Sequence, residues 1–289
     1  MDRRAWLRGS FALAVSGSLP LPSASAQGPA REARRQLRFR LTLSNPHPRE
    51  LGPQTLWLYL PARETGTQRL LNVAVTAAHR LSADPLGHTL LELSFAQFAP
   101  LAQKTVDVTA DVLLREAPRD SPLPDRGAWL ASERFIETDE PRIRSLAAEL
   151  RRPTEWETAK AVYDWTVRNM TDAGYVADDR GALQALIERK GDCTEYAYLA
   201  VALARACAIP ARMVGGYVTD RNIAPRPEDY HNWAELHIAG AWRLLDAQKQ
   251  NWLAPTEQYV AFRFYRAESI NPIGSAHRFK IDGDLEVRL

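Results

Sequence analysis

Two hydrophobic periods follow one another along the chain, and their order limits the folds it can adopt. From Leu37 to about Val112 apolar residues recur at alternate positions: Leu37, Phe39, Leu41 and Leu43 interleave with Arg38, Arg40, Thr42 and Ser44, the period of a strand with one buried face. Asn45-Pro46-His47-Pro48 ends that run. Further strands are expected at Thr55 to Leu60, Leu70 to Ala78, Thr89 to Phe95 after the turn Asp84-Pro85-Leu86-Gly87, and Thr105 to Leu114. Several short strands joined by turn residues predict a small β-sandwich over residues 36–116. Beyond the proline-rich linker from Pro118 to Pro124 the period becomes helical. Ile143, Leu146, Ala147 and Leu150 share one face and stop at Pro153; Pro153-Thr154-Glu155-Trp156-Glu157 then opens a helix carrying Ala159, Val162, Tyr163, Thr166 and Val167. The expected class is α+β, with a second domain over residues 127–289.

The amino terminus reads as a separate, removable segment. Asp2-Arg3-Arg4-Ala5-Trp6-Leu7-Arg8 precedes a short apolar stretch from Phe11 to Leu21 and the small-residue site Ala24-Ser25-Ala26. This resembles a bacterial twin-arginine export signal spanning residues 1–26 and implies a periplasmic protein. The stretch is too short, and too rich in Gly, Ser and Pro, to span a bilayer, and no other run reaches the roughly 18 to 20 apolar residues a span needs. No cysteine follows the cleavage site to carry a lipid. Without residues 1–26 the chain has 34 basic and 34 acidic residues, a balance that gives no argument for nucleic acid or acidic lipid as a partner. In the β region, His47, His79 and His88 are far apart and lack metal-ligand spacing, so they are expected at the surface or in turns.

The chemistry concentrates in Lys190-Gly191-Asp192-Cys193-Thr194-Glu195-Tyr196-Ala197-Tyr198, after a short helix marked by Leu183, Leu186 and Ile187. Asp192 is a good N-cap, and Glu195 three residues later completes a capping box. Cys193 then opens a helix at the positive end of its dipole, beside amides with no intrahelical partner, which favours a thiolate and can hold an oxyanion. The same residue could equally be a buried small apolar side chain. The other cysteine, Cys207, lies fourteen positions further along one helix, roughly 21 Å away at about 1.5 Å per residue. A disulfide needs Cα atoms within ~7 Å, so Cys207 is expected in the core.

Ala211 to Val218 reads as a strand in which Gly215-Gly216 permits close backbone approach or a bulge. The loop from Asp220 to Tyr230, with two prolines, is expected at the rim of a site. His231-Asn232-Trp233-Ala234-Glu235-Leu236-His237-Ile238-Ala239-Gly240-Ala241-Trp242-Arg243-Leu244-Leu245-Asp246 then reads as a hairpin turning at Ala239-Gly240. Under a two-residue loop, 238 pairs with 241 and 233 with 246. His231 is diagonal to Asp246 on one face, roughly 7 to 8 Å away at the backbone, within reach of a ring-to-carboxylate hydrogen bond. His237 shares that face but lies deeper.

A thiol at a helix start, a histidine opening a strand and a carboxylate on the next strand make a nucleophile, base and orienter set. The blocks Gly191-Asp192-Cys193-Thr194-Glu195-Tyr196-Ala197, Ala208-Ile209-Pro210-Ala211-Arg212-Met213-Val214-Gly215-Gly216-Tyr217, His231-Asn232-Trp233-Ala234-Glu235 and Trp242-Arg243-Leu244-Leu245-Asp246 together resemble the bacterial transglutaminase-like superfamily, a papain-like cysteine fold, over roughly residues 127 to 260. The sandwich resembles the accessory domain often found ahead of such modules. Asp246 is followed by Ala247-Gln248 where many relatives have proline or threonine. The resemblance implies that Cys193 is the nucleophile, His231 its base and later acid, and Asp246 the group that fixes the histidine. Trp233 and Tyr196 are assigned to substrate binding, Trp233 either walling the site or packing in the core; Trp165 and Tyr175 are expected to be core residues. The implied reaction is acyl transfer through a thioester on a peptide or protein amide, with the Cys193 amide as one oxyanion donor. Hydrolysis by a peptidase or amidase, cross-linking by a transglutaminase, and a non-catalytic binding module of the same fold remain open. No cofactor is expected; Cys193, His231 and Asp246 contain no close-spaced ligand pair for a metal, and no calcium loop is visible.

Overall fold

In the computed structural model, which describes residues 31–289 apart from 176 and 269, the alternating segments become strands. These are β1 (Glu32–Ser44), β2 (Gln54–Leu60), β3 (Gln68–Val75), β4 (Arg80–Ala83), β5 (Thr89–Phe95) and β6 (Gln103–Arg115). In β1, Leu37, Phe39, Leu41 and Leu43 are buried while Arg38 and Arg40 are exposed. β6 lies antiparallel along all of it, from Glu32 opposite Arg115 to Ser44 opposite Gln103. The short β4 is exposed at every position, so alternation had no buried face to reveal it. The export signal expected over residues 1–26 lies outside the described residues.

The helical part contains α1 (Pro141–Leu150), α2 (Glu155–Asn169), the two-residue β7 (Thr171–Asp172), α3 (Gly181–Glu188), β8 (Lys190–Gly191) parallel to β7, and α4 (Cys193–Ala206). A capping box between Thr154 and Glu157 starts α2, which buries Ala159, Val162, Tyr163 and Thr166. α4 is buried from Thr194 to Arg205 and shares its core with side chains of all three other helices. Under it lie β9 (Ala211–Val218), β10 (Tyr230–Ile238), β11 (Ala241–Asp246), β12 (Asn251–Trp252) and β13 (Tyr259–Phe264), an antiparallel sheet in the order β12-β11-β10-β9-β13.

The hairpin has the register its sequence predicts. Ala239 and Gly240 have φ of 50° and 77°, the left-handed pair of a two-residue hairpin turn. Ile238 then pairs with Ala241 and Ala234 with Leu245. On β9, a Cβ at Gly216 would lie 2.0 Å from the Val260 carbonyl oxygen; only glycine lets β13 close on this strand. The partner strand carries a bulge between Ala261 and Arg263.

The chain ends with β14 (Phe279–Asp282) and β15 (Glu286–Arg288), which extend the sheets of the first part. The orders are β15-β1-β6-β3 and β14-β2-β5-β4. Residues 127–289 therefore do not make one sequential domain, because these last strands cover β1 and β2, whose backbone groups would otherwise be open edges. Segments of three or four residues hold too few periods to announce themselves. The sandwich core also continues into the central sheet: Tyr217, Val260 and Phe262 pack with Leu37, Leu91 and Val106. Gln68 accepts from Ala261 N at 2.8 Å and donates to the Ala62 carbonyl at 2.7 Å. His88, expected at the surface or in a turn, is 1% exposed and accepts a hydrogen bond from Phe264 N at 2.7 Å. Residues Arg31–Leu289 accordingly form one compact unit.

Candidate active site

The start of α4 is built as its sequence suggests. Thr194 N donates to Asp192 Oδ1 at 2.8 Å and Asp192 N to Glu195 Oε2 at 3.1 Å, and the capping box is complete. A Cβ at Gly191 would meet Glu195 Cβ at 2.3 Å, so the glycine makes room for the glutamate to fold back. Cys193 is left half-buried at the helix tip.

Its protonation differs from the expected thiolate. Loss of solvent pushes the thiol up to about 11, and the neighbouring Asp192 carboxylate adds to the rise; hydrogen bonds from the Asn232 amide and the Thr194 hydroxyl act the other way. The cap that starts the helix thus sets a negative charge beside the sulfur, and burial and that charge both favour the protonated thiol. At neutral pH the resting thiol keeps its proton.

Across the hairpin, His231 Nε2 lies 2.6 Å from Asp246 Oδ2. Both residues are buried. Asp246 Oδ2 also accepts from the Tyr259 hydroxyl at 2.7 Å, Oδ1 accepts from Lys249 N at 3.1 Å, and Asn251 Nδ2 donates to the Tyr259 oxygen at 2.7 Å. Burial alone would raise the Asp246 carboxyl, but hydrogen bonds from His231, Lys249 and Tyr259 hold it below the usual range. With Nε2 engaged by the carboxylate, His231 has Nδ1 left for chemistry. Cys193 and His231 line the same cleft, about 760 Å³ in volume, together with Asp220, Arg221 and Lys249. A second lobe of about 540 Å³ also reaches Cys193 and contains Asn232, Asp179 and His277. The loop expected at the rim is there: Asp220 and Arg221 line the first lobe, and Pro227 and Glu228 the second.

Three other assignments change. Trp233 is 1% exposed; it stacks behind His231 with ring centroids 6.3 Å apart and meets Tyr259 edge-on at 5.1 Å, so it backs the histidine and does not face the cleft. Tyr196 is 7% exposed and packs in the helical core, because α4 is covered on all sides and one turn past Cys193 a side chain meets protein. Tyr175, expected in the core, is 89% exposed and lines both lobes. Trp165 is partly buried and lies under the Arg189 guanidinium at 5.6 Å. His237 bonds the Ser121 carbonyl oxygen at 2.7 Å, while Cys207 is buried and donates to the Ala147 carbonyl at 3.3 Å. Sequence reading missed Tyr259 and Asn251, which lie outside the four blocks that carry the resemblance; the β-branched and aromatic content of 259–264 signals a strand but not its contact with Asp246.

Among the described residues no group of three metal-binding side chains occurs, and no helix is long and apolar enough to cross a membrane. Residues 144–247 match the model of the transglutaminase-like superfamily. This chain carries a transglutaminase-like domain. Beyond that domain, the fold as a whole is shared with a candidate cysteine protease from Cytophaga hutchinsonii, at a TM-score of 0.62 and 20% identity over 90% of each chain. The periplasmic domain of TgpA from Pseudomonas aeruginosa aligns at a TM-score of 0.41 and 17% identity, covering 69% of this chain and 88% of that one. No curated protein sequence matches the chain. The coverage of the first structure extends the likeness from the transglutaminase-like domain to the sandwich packed against it.

Proposed function

We propose that this protein is an exported cysteine-dependent acyl-transfer enzyme that hydrolyses a peptide or side-chain amide through a thioester. The observation that carries the reading is the 2.6 Å contact between His231 Nε2 and Asp246 Oδ2, which leaves the other ring nitrogen for a cleft that also holds the Cys193 thiol. Because that thiol rests protonated, His231 Nδ1 takes its proton as sulfur attacks the substrate carbonyl. Asp246, ionised and fully hydrogen-bonded, stabilises the imidazolium. The Cys193 amide at the helix tip donates to the developing oxyanion. His231 then returns the proton to the departing amine, and water, deprotonated by the same ring, releases the acyl group from sulfur. Export to the periplasm rests on the twin-arginine pattern of residues 1–26.

Cell-envelope peptides incubated with the protein and followed by mass test the reading. Fragments gaining one water, and an acyl adduct on Cys193 in trapped samples, are expected; products appearing only when a primary amine is added would replace hydrolysis with cross-linking. Alkylation of Cys193 that does not respond to His231→Ala would remove the enzyme in favour of a binding module.

A further inference from the structure

A second histidine–aspartate pair sits in the other lobe of the cleft. His277 Nε2 is 3.0 Å from Asp179 Oδ2, and the Tyr198 hydroxyl donates to the same oxygen at 3.0 Å. The remaining ring nitrogen, Nδ1, is 2.7 Å from the Tyr265 hydroxyl. Tyr265 reaches Asn232 Oδ1 at 3.3 Å, and Asn232 Nδ2 donates to Thr194 Oγ at 3.0 Å. Thr194 and Asn232 line this lobe together with Cys193, and both hold the titration of its thiol down. The hydrogen bonds therefore run without a break from the Asp179–His277 pair to Thr194, the residue next to the candidate nucleophile.

We infer that His277, acting through Tyr265, Asn232 and Thr194, is a positioning residue that directs hydrogen-bond donors onto the Cys193 sulfur; the inference rests on the nucleophile assigned above. The directions follow from what each group can donate. Asn232 gives an N–H to Thr194 Oγ, so the Thr194 proton is free to point at sulfur. Asn232 keeps that orientation while its Oδ1 accepts from Tyr265. Tyr265 is set to donate there by His277 when Nδ1 donates to the Tyr265 oxygen and Nε2 to Asp179, whose carboxylate is then the ring's counter-charge. Burial would raise the Asp179 carboxyl, but His277, with Tyr198 and the charge of Arg263, holds it below the usual range.

Other groups also face this ring. The Tyr230 hydroxyl reaches the His277 carbonyl at 3.4 Å, the Arg263 guanidinium lies 4.0 Å over the Tyr265 ring, and Arg278 and Glu228 share the lobe. Without the ring as its donor, Tyr265 turns its O–H away from Asn232 Oδ1, and the support for the thiolate is lost.

The test is the rate of iodoacetamide alkylation of Cys193 against pH, in the full chain carrying Cys207→Ser. His277→Gln keeps a donor toward Asp179 but none toward Tyr265, and Tyr265→Phe cuts the next link while preserving the ring. Each variant is expected to lower the rate about tenfold at a fixed pH, equivalent to raising the thiol's titration by about one pH unit, and the double variant to lower it no further. A normal rate in either single variant, or additive losses, would each overturn the inference. His231→Ala in the same assay tests the enzyme reading separately, because it leaves the Asp179-to-Thr194 links intact.

Discussion

Two histidine–aspartate pairs in this molecule have the same hydrogen-bond length and different uses. His88 Nδ1 and Asp84 Oδ2 are 2.6 Å apart, as are His231 Nε2 and Asp246 Oδ2, and all four side chains are buried. The difference lies in the second ring nitrogen. His88 Nε2 accepts the Phe264 N–H at 2.7 Å, so the ring is a neutral clamp between β13 and the sandwich. For His231 no hydrogen bond among the described residues engages the second nitrogen, and its cleft contains a thiol. Pairing with a carboxylate therefore does not by itself mark a base. The role proposed for His231 rests on an uncommitted nitrogen in a cleft shared with Cys193, and each variant below either removes that distinction or moves it.

The largest effect is expected at the pair that keeps a nitrogen free. Cys193→Ala abolishes acyl-adduct formation by mass, and His231→Ala lowers turnover by about 10²–10⁴-fold, the usual range for a general base. Because burial and Asp192 place the thiol near 11, alkylation of Cys193 in His231→Ala should keep rising with pH well beyond the ~8.5 of a free cysteine. A plateau near that value would mean that the sulfur is solvated and needs no base. Asp246→Asn, which keeps the shape but loses the charge that stabilises the imidazolium, should lower turnover by about 10²-fold or more. Asp84→Asn should leave turnover per folded molecule unchanged, and equal losses in the two variants would break the contrast.

What was legible in the sequence was local. The alternation of Leu37, Phe39, Leu41 and Leu43 depends on nearest neighbours, the Asp192–Glu195 box spans one turn, and the register carrying His231 to Asp246 follows from a two-residue turn. What was not legible depends on partners far along the chain. β14 pairs with a strand more than 200 residues earlier, His88 is buried by Phe264, and Tyr259 becomes an Asp246 partner only because β13 crosses to the far edge of the sheet. The protonated thiol is the same kind of case: the dipole is a property of one helix, but desolvation is a property of everything packed around it. Tyr175 reads like a core aromatic in sequence and ends up over the cleft.

A smaller effect should come from Tyr259→Phe. Asp246 has three hydrogen-bond donors in His231, Tyr259 and Lys249 N, so the variant removes one and leaves Asn251 without its acceptor. A turnover loss of roughly five- to tenfold is expected, in line with about 1 kcal/mol for a typical hydrogen bond. The acid side of the activity profile should also move. The carboxyl is held below its ordinary range, and weaker hydrogen bonding lets it protonate at higher pH, so the variant should lose activity first as pH falls. The same shift has a stability consequence. A depressed carboxyl stabilises the fold above its unfolded value of about 3.9, and the contribution disappears as pH falls through the lowered native value. The parent should therefore resist acid unfolding to lower pH than Tyr259→Phe.

The smallest expected effect on chemistry, and a clear one on stability, belongs to His88→Gln. Asp84 accepts from Leu86 N, His88 N and Asn271 as well as from the ring, so it keeps partners when the imidazole goes. Phe264 N has no such reserve: its acceptor is His88 Nε2, and burial without an acceptor costs about 1–3 kcal/mol. Urea unfolding should register a loss of that size, with turnover per folded molecule near the parent's because Cys193, His231 and Asp246 lie on α4, β10 and β11, and the β13 residue that reaches Asp246 is Tyr259, at the opposite end of that strand from Phe264. Phe264 nevertheless pairs with Val214 of β9, the strand that also pairs with His231 through Gly216. If His88→Gln slows turnover in fully folded protein, the sandwich is holding the histidine strand in place through β13 and β9, and the structural pair has become a support of the catalytic one.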